Sequence, residues 1–387
     1  MYPLTLLLGC AIGAAYVLLS ADGLRTRTGG RIGGDLPAFY AAGLMLRDGQ
    51  TMQMYDGPAQ RAAQAPFLPD TNDGWLHFRY PVFVALAYAP FTMLSFKAAY
   101  VIHTTAMILC AMAALQMLRR HAAIVDAYFP LTVAAVLLSL PMAVANFGGQ
   151  NTAFSLLCVV GPMVALERRD PFAAGLWLGA WMFKPQLALP ALLVIAGCYP
   201  RVLIGVGASA AALYTAGAII AGWRWPIWWA HLGVIAFAAQ DLGFDQEGAV
   251  SLREILAAQG FAPLGWALLL ATQLIAMWAA RRMRDSPIAV VGIAAAAAVL
   301  VAPHAMYYEG GLVAVTVVSM SALVGPRFPL LAAGVWLLLL LQPLRSFLPI
   351  PPTTVAVLLP FCFMVWIASH PFAAERSAFN SAHVSGE

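Results

Sequence analysis

The sequence predicts an all-α polytopic membrane protein, and three observations predict it. Hydrophobic residues fill 62% of the 387 positions and charged ones 10%, whereas a soluble chain carries roughly 45–50% apolar and about 25% charged residues. The apolar residues fall in long runs of the length a membrane crossing needs. The arginines sit in pairs and triplets between those runs, as topology signals do. The net charge of +4 is therefore read as orientation, and the composition argues against a cytosolic enzyme, a disordered chain or a nucleic-acid partner.

The runs lie at 2–20, 80–96, 98–118, 122–145, 151–166, 171–199, 202–222, 261–280, 286–302, 310–325, 328–343 and 350–369. At about 20 residues per crossing they suit about ten to twelve transmembrane helices. The first run has no basic segment before it and no small-residue cleavage site after it, so it reads as a retained span. Run 80–96 is short and holds Pro81 and Pro90, which suits a dip into the membrane and a return. Run 171–199 has Lys184-Pro185 at its middle and reads as two half-helices. Broken helices at membrane depth are tolerated where protein or a cavity satisfies the freed backbone groups. One transmembrane domain is expected over 1–370, followed by a polar tail at 371–387.

Two polar inserts, 21–79 and 223–260, hold ten of the seventeen acidic residues. The short connections instead carry Arg119-Arg120, Arg168-Arg169, Arg201, Arg281-Arg282-Arg284 and Arg327. By the positive-inside rule the arginine loops face the cytoplasm and both inserts face outward. The first half carries a conflict, because a full crossing at 80–96 would put Arg119-Arg120 outside. Within the first insert, 37–47 and 58–64 suit two short amphipathic helices lying in the interface plane. Five cysteines lie inside apolar runs with no Cys/His spacing, so neither a disulfide framework nor a zinc site is indicated.

Few polar residues occur where they would be costly, and these are the candidates. Asp35 follows Gly33-Gly34 and stands two residues before Pro37; it reads either as a helix N-cap or as a general base at the outer surface. His304, with Tyr307, Tyr308 and Glu309 close behind it, is either an interfacial residue or part of a site. Lys184, one of two lysines, lies in a run that holds no acidic residue. It pairs with a distant carboxylate or with a phosphate of an amphiphilic substrate. His77 and Arg79, where the first insert returns to the membrane, are an interfacial anchor or a contact to an anionic lipid phosphate. Trp223, Trp225, Trp228 and Trp229 form an aromatic belt or a stacking surface for sugar. A nucleotide loop, a Ser/His/Asp arrangement and a paired-aspartate metal motif are all missing.

Several stretches occur in an order that resembles the integral-membrane glycosyltransferases of family 87, in the C-type superfamily that uses polyprenyl-phosphate sugars. They are Asp35-Leu36-Pro37-Ala38-Phe39-Tyr40, Met54-Tyr55-Asp56-Gly57, Phe78-Arg79-Tyr80-Pro81 and Gly149-Gln150-Asn151. Lys184-Pro185-Gln186, Ser251-Leu252-Arg253-Glu254 and Pro303-His304-Ala305-Met306-Tyr307-Tyr308-Glu309 complete the order. The resemblance implies inverting transfer from a lipid-linked sugar, mannose first and arabinofuranose second, to a lipid or glycan acceptor at the outer face of the inner (cytoplasmic) membrane. It implies Asp35 as general base and a catalytic role for His304. It implies Lys184, Arg79 and His77 about the donor phosphate, and Tyr40, Tyr80, Gln150, Asn151, Gln186, Tyr308 and Glu309 about the substrates. An activated polyprenyl phosphate calls for no nucleotide cofactor and no metal. Two departures stand out: Pro81-Val82 replaces a tandem proline, and Glu309 stands where Asp is common. A flippase for lipid-linked glycans and a glycan polymerase are the alternatives, although a transporter normally carries internal repeats and none is found.

Overall fold

The computed structural model describes residues 33–68, 75–236 and 248–370, together with Ile12. The expected first span at 2–20, the acidic residues Asp22, Asp70, Asp73, Asp241, Asp245 and Glu247, and the tail at 371–387 lie outside the described residues. Among the described residues every regular element is helical, and extended pairing is confined to an isolated bridge between Ala249 and Met306. A single apolar core joins Leu36 to Ala368.

Four described helices are long and apolar enough to cross a bilayer alone: Phe96–Arg119, Val202–Ala221, Ala262–Arg282 and Pro352–Ser369. The pair Phe129–Leu137 and Leu140–Phe147, bent by 65°, is a fifth candidate. These are the full-length candidates among the described residues, beside the expected ten to twelve transmembrane helices. Six further apolar helices have only 10–17 residues, about 15–26 Å against a hydrocarbon layer of about 30 Å. Proline is the physical cause. It stands in the first turn of the helices that begin at Phe129, Leu140, Pro171, Pro185, Pro287 and Phe328. There it starts a helix readily while pushing the residue before it out of the α region. At the expected break in 171–199, Pro171–Ala180 ends in the 3₁₀ turn Trp181–Phe183, Lys184 turns out at φ −122° and ψ 71°, and Pro185–Cys198 begins.

The two halves of that hairpin pack by different means. Gly175 and Gly179, four apart on the first, meet Gly205 and Ser209, four apart on Val202–Ala221. A Cβ at Gly175 would strike the Val202 carbonyl oxygen; small residues at this spacing let membrane helices approach closely. Outward-facing Val101, Ile204, Ile219, Leu270 and Trp278 are exposed, the apolar surface that a lipid-facing helix presents.

The first insert departs from its expected form. Leu36–Arg47 does not lie as an amphipathic helix at an interface; nine of its twelve residues are buried, from all round its circumference. Ala38, Ala41, Ala42 and Gly43 let it press against Phe83–Met93, with Phe39 stacked on Tyr88 at 4.6 Å and Gly43 against the Tyr88 backbone. The Tyr40 hydroxyl donates to the Leu94 carbonyl at 2.7 Å, and Arg47 donates to the Thr92 carbonyl at 2.8 Å. The second helix, Gly57–Gln64, is capped by Asp56. Its Gln60 and Gln64 accept from the Phe78 and Leu76 amides at 2.8 and 3.0 Å, holding the returning chain.

These contacts settle the conflict in the first half. Phe83–Met93, 11 residues and about 16 Å long, packs on the insert's first helix and is too short to span an about 30 Å hydrocarbon layer. Phe96–Arg119 therefore starts at the insert's end. At its far end His121 pairs with Glu167, beside Arg168-Arg169. Likewise Tyr199 donates to the Arg284 carbonyl and Arg281 donates to Gly197, bringing Arg201 and Arg281-Arg282-Arg284 together. The arginine-bearing turns gather at one end and the described parts of both inserts at the other. In a cysteine-free background, Asp48→Cys and Gln259→Cys should react with an impermeant maleimide in intact cells. Arg169→Cys and Arg282→Cys should react only once the membrane is opened. Labelling of one residue from each pair in intact cells would break this sidedness.

Candidate functional site

Two glycine pairs bring the first insert against the helical bend. Gly33 and Gly34 both have positive φ, at 79° and 39°, and Gly149 has φ 68°. A Cβ on Gly34 would strike the Gly148 carbonyl, and one on Gly149 would strike the Gly33 carbonyl. Glycine is the residue that suits such positions. The contact lets the Asp35 amide donate to the Gly148 carbonyl at 2.9 Å, so Asp35 and Gln150, each just after its glycine pair, become neighbours.

Asp35 occupies the N-cap position of Leu36–Arg47 but makes no side-chain capping bond. Its Oδ2 instead accepts from Gln150 Nε2. The capping alternative therefore does not account for this carboxylate. Gln150 is buried, and since a carboxylate only accepts, the contact fixes which end of the amide faces it. Next to it, Asn151 lies within hydrogen-bonding reach of the Tyr80 and Tyr88 hydroxyls. Tyr80 and Tyr308 both lie within electrostatic range of the Asp35 and Glu309 carboxylates. The structure thus brings Asp35, Gln150, Asn151, Tyr80, Tyr308 and Glu309 together from four separate parts of the chain.

Lys184 closes the inner side of this cluster. Its Nζ donates to Glu309 Oε1 at 2.5 Å, with both side chains 5% exposed or less. Thr152 Oγ1 donates to the second carboxylate oxygen at 3.2 Å, and the ammonium lies 5.8 Å from the Tyr308 ring centroid. Of the two partners expected for Lys184, the structure shows the carboxylate: its own run holds no acidic residue, and Glu309 arrives from 125 positions away. A charge buried in an apolar bundle needs such a partner.

The outer side is built by the second insert. Leu252–Ala258 is capped by Ser251, whose Oγ accepts from the Glu254 amide and donates to Glu254 Oε2 at 2.9 Å. Glu254 Oε1 lies 2.5 Å from His304 Nδ1, and its Oε2 accepts from the Ala305 amide at 3.2 Å. Arg79 takes part through its backbone too, its carbonyl accepting from Trp229 Nε1 at 2.9 Å, while Trp228 meets Tyr55 edge to face. Of the four tryptophans, Trp225 is buried beneath Gly217 and Trp223 is 65% exposed, so the cluster is not a uniform belt. His77 packs against Trp75 with ring centroids 3.7 Å apart and planes tilted by 46°. Burial, helped by the Arg79 charge, pushes its pKa down to about 4, so the ring is neutral at pH 7. Tyr40 is turned away to Leu94, and half-buried Gln186 opens the helix after Lys184.

Sequence reasoning missed Thr152 and Glu254 as site neighbours. Glu254 had a signal, the Ser251-x-x-Glu254 spacing of a capping box; Thr152 had none. Thr104 donates to the Asn146 carbonyl at 3.3 Å. Counting along Phe96–Arg119 from that level puts the cluster about 22 Å from the arginine end. For helices along the membrane normal this lies within the far third of an about 30 Å layer.

The description of glycosyltransferase family 87 matches residues 78–324. The match includes Gln150, Asn151, Lys184, Glu254, His304 and Glu309 and begins after Asp35. No curated protein and no solved structure matches the chain significantly.

Removing one member of a buried ion pair typically costs about 3–5 kcal/mol. Lys184→Met should therefore lower the thermal unfolding midpoint in detergent, and adding Glu309→Leu should restore most of the loss. An unchanged midpoint in the single variant would contradict the pairing.

Proposed function

The chain belongs to glycosyltransferase family 87, and from that premise we propose the reaction that it carries out and the residues that perform it. It moves a sugar, mannose in the first instance, from a polyprenyl phosphate to a hydroxyl of a lipid or glycan acceptor. The transfer occurs at the outer face of the inner (cytoplasmic) membrane and inverts the anomeric centre. Residues 1–370 act as one unit in it.

The observation that carries this reading is the carboxylate of Asp35. It stands where a helix cap would stand, yet it is held by Gln150 within a polar cluster at the end away from the arginines. Asp35 takes the proton of the acceptor hydroxyl as that oxygen bonds to the anomeric carbon. The bond from that carbon to the phosphate oxygen breaks on the opposite side, and its electron pair leaves with the polyprenyl phosphate. The phosphate gains one negative charge, so the site needs cations there. Arg79 and His304 are suited to this task. Lys184 adds little net charge because Glu309 matches it, and His77 is neutral. Tyr80, Asn151, Tyr308 and Gln186 line the sugar's path between base and phosphate.

General acid–base groups typically contribute about 10²–10⁴-fold in rate. Asp35→Asn should cut turnover with a synthetic polyprenyl-phosphate mannose by about that factor. Its thermal midpoint and donor affinity should stay level, since the Asn oxygen can still accept from Gln150. Near-normal transfer by the variant would remove Asp35 from the mechanism, and a wild-type protein that forms no glycosidic bond with any donor would remove the reaction.

A further inference from the structure

We infer that Glu254 is a positioning residue for His304: it sets the imidazole so that Nε2 faces the donor phosphate. The inference rests on the phosphate-facing role given to His304 above and names the residue that makes this role achievable.

The geometry carries it. His304 sits on the connection after Pro287–Val301, with part of its side chain exposed. A surface imidazole on a loop has several rotamers and two tautomers open to it, and only one combination aims a given nitrogen at a ligand. Glu254 removes that freedom. One carboxylate oxygen lies 2.5 Å from Nδ1, and a carboxylate there accepts the Nδ1 proton, leaving Nε2 as the nitrogen directed away. The other oxygen accepts from the amide of Ala305, the residue after His304, so one carboxylate fixes both the ring and its backbone.

The carboxylate is itself fixed. Ser251 Oγ donates to it at 2.9 Å from the cap of the same helix turn. Arg253 donates to the Pro303 carbonyl at 3.3 Å, the Val250 amide donates to the Ala305 carbonyl at 2.9 Å, and Thr354 holds the Val250 carbonyl at 2.9 Å. Residues 250–254 thus grip 303–305 from both sides. Backbone contacts of this kind would serve a purely structural clamp as well. The carboxylate on Nδ1 is what a clamp alone does not require, since orienting an imidazole through its second nitrogen is how proteins set its working nitrogen.

A double-mutant cycle on the whole protein in detergent separates the two roles. The readouts are binding of farnesyl phosphate and transfer from a polyprenyl-phosphate mannose. His304→Ala and Glu254→Ala should each weaken farnesyl phosphate binding by about tenfold and lower kcat by up to about 10²-fold, the scale of a misplaced group. The double variant should be no more than about twofold worse than His304→Ala. Glu254→Gln, which keeps an acceptor for Nδ1, should fall between wild type and Glu254→Ala, and it runs the cycle if the alanine variant does not fold. Losses that multiply in the double variant would make Glu254 a clamp acting independently of His304 and overturn the inference. Failure of the wild type to bind farnesyl phosphate would overturn it as well. Non-additive binding without any transfer would leave the positioning role standing and remove the proposed reaction instead.

Discussion

An ammonium and a carboxylate at membrane depth have to find each other, and in this chain that requirement organises the site. Lys184 stands at the break between two short helices, and Glu309 on a 3₁₀ turn after another helix. Each alone would be an uncompensated charge among buried apolar side chains. Their 2.5 Å contact therefore fixes the Lys184 break against the Tyr307–Leu312 turn, and Thr152 adds the start of a third element. Tyr308, next to Glu309, is carried along and brought within range of Asp35. The pair positions three helix ends and leaves no net charge behind, which makes it scaffold first.

Asp35 reaches this scaffold by close backbone approach. Three glycines with positive φ and a fourth in contact allow two loops to touch where a Cβ on Gly34 or Gly149 would clash. The bond from the Asp35 amide to Gly148 and the bond from Gln150 to the carboxylate then fix backbone and side chain separately. The proposed base is thereby held by its partners through both backbone and side chain, as preorganised catalysis requires.

Much of this was legible in the sequence where the cause was local. The Lys184-Pro185 break could be read because proline constrains its predecessor and favours the first helical turn. The dip at 80–96 could be read from Pro81, Pro90 and the run's length. What was not legible depended on distance. Nothing near Lys184 announces Glu309, and nothing near Gly33 announces Gly148, since both contacts join segments over 100 positions apart. The helix expected at 37–47 as amphipathic and interfacial is instead buried, for a related reason: Phe83–Met93, distant in sequence, presses against it at Gly43. The run 122–145 reads as continuous by composition, whereas helices with proline in their first turn, at Phe129 and Leu140, divide it.

The distribution of charge carries the last step of the argument. Since Lys184 is cancelled by Glu309 and His77 is neutral at pH 7, the core of the bundle offers an anion little attraction. The two residues proposed to meet the phosphate are Arg79, at the edge of the first insert, and His304, on the connection after Pro287–Val301. Each is held by a residue of the second insert, Arg79 through Trp229 and His304 through Glu254. A phosphate drawn to them would not depend on the buried Lys184–Glu309 pair. In the reaction proposed above, the leaving group meets Arg79 and His304 while the acceptor hydroxyl meets Asp35, so the two ends of the transfer fall to different residues. The second insert thus helps to place both residues, through Trp229 and Glu254.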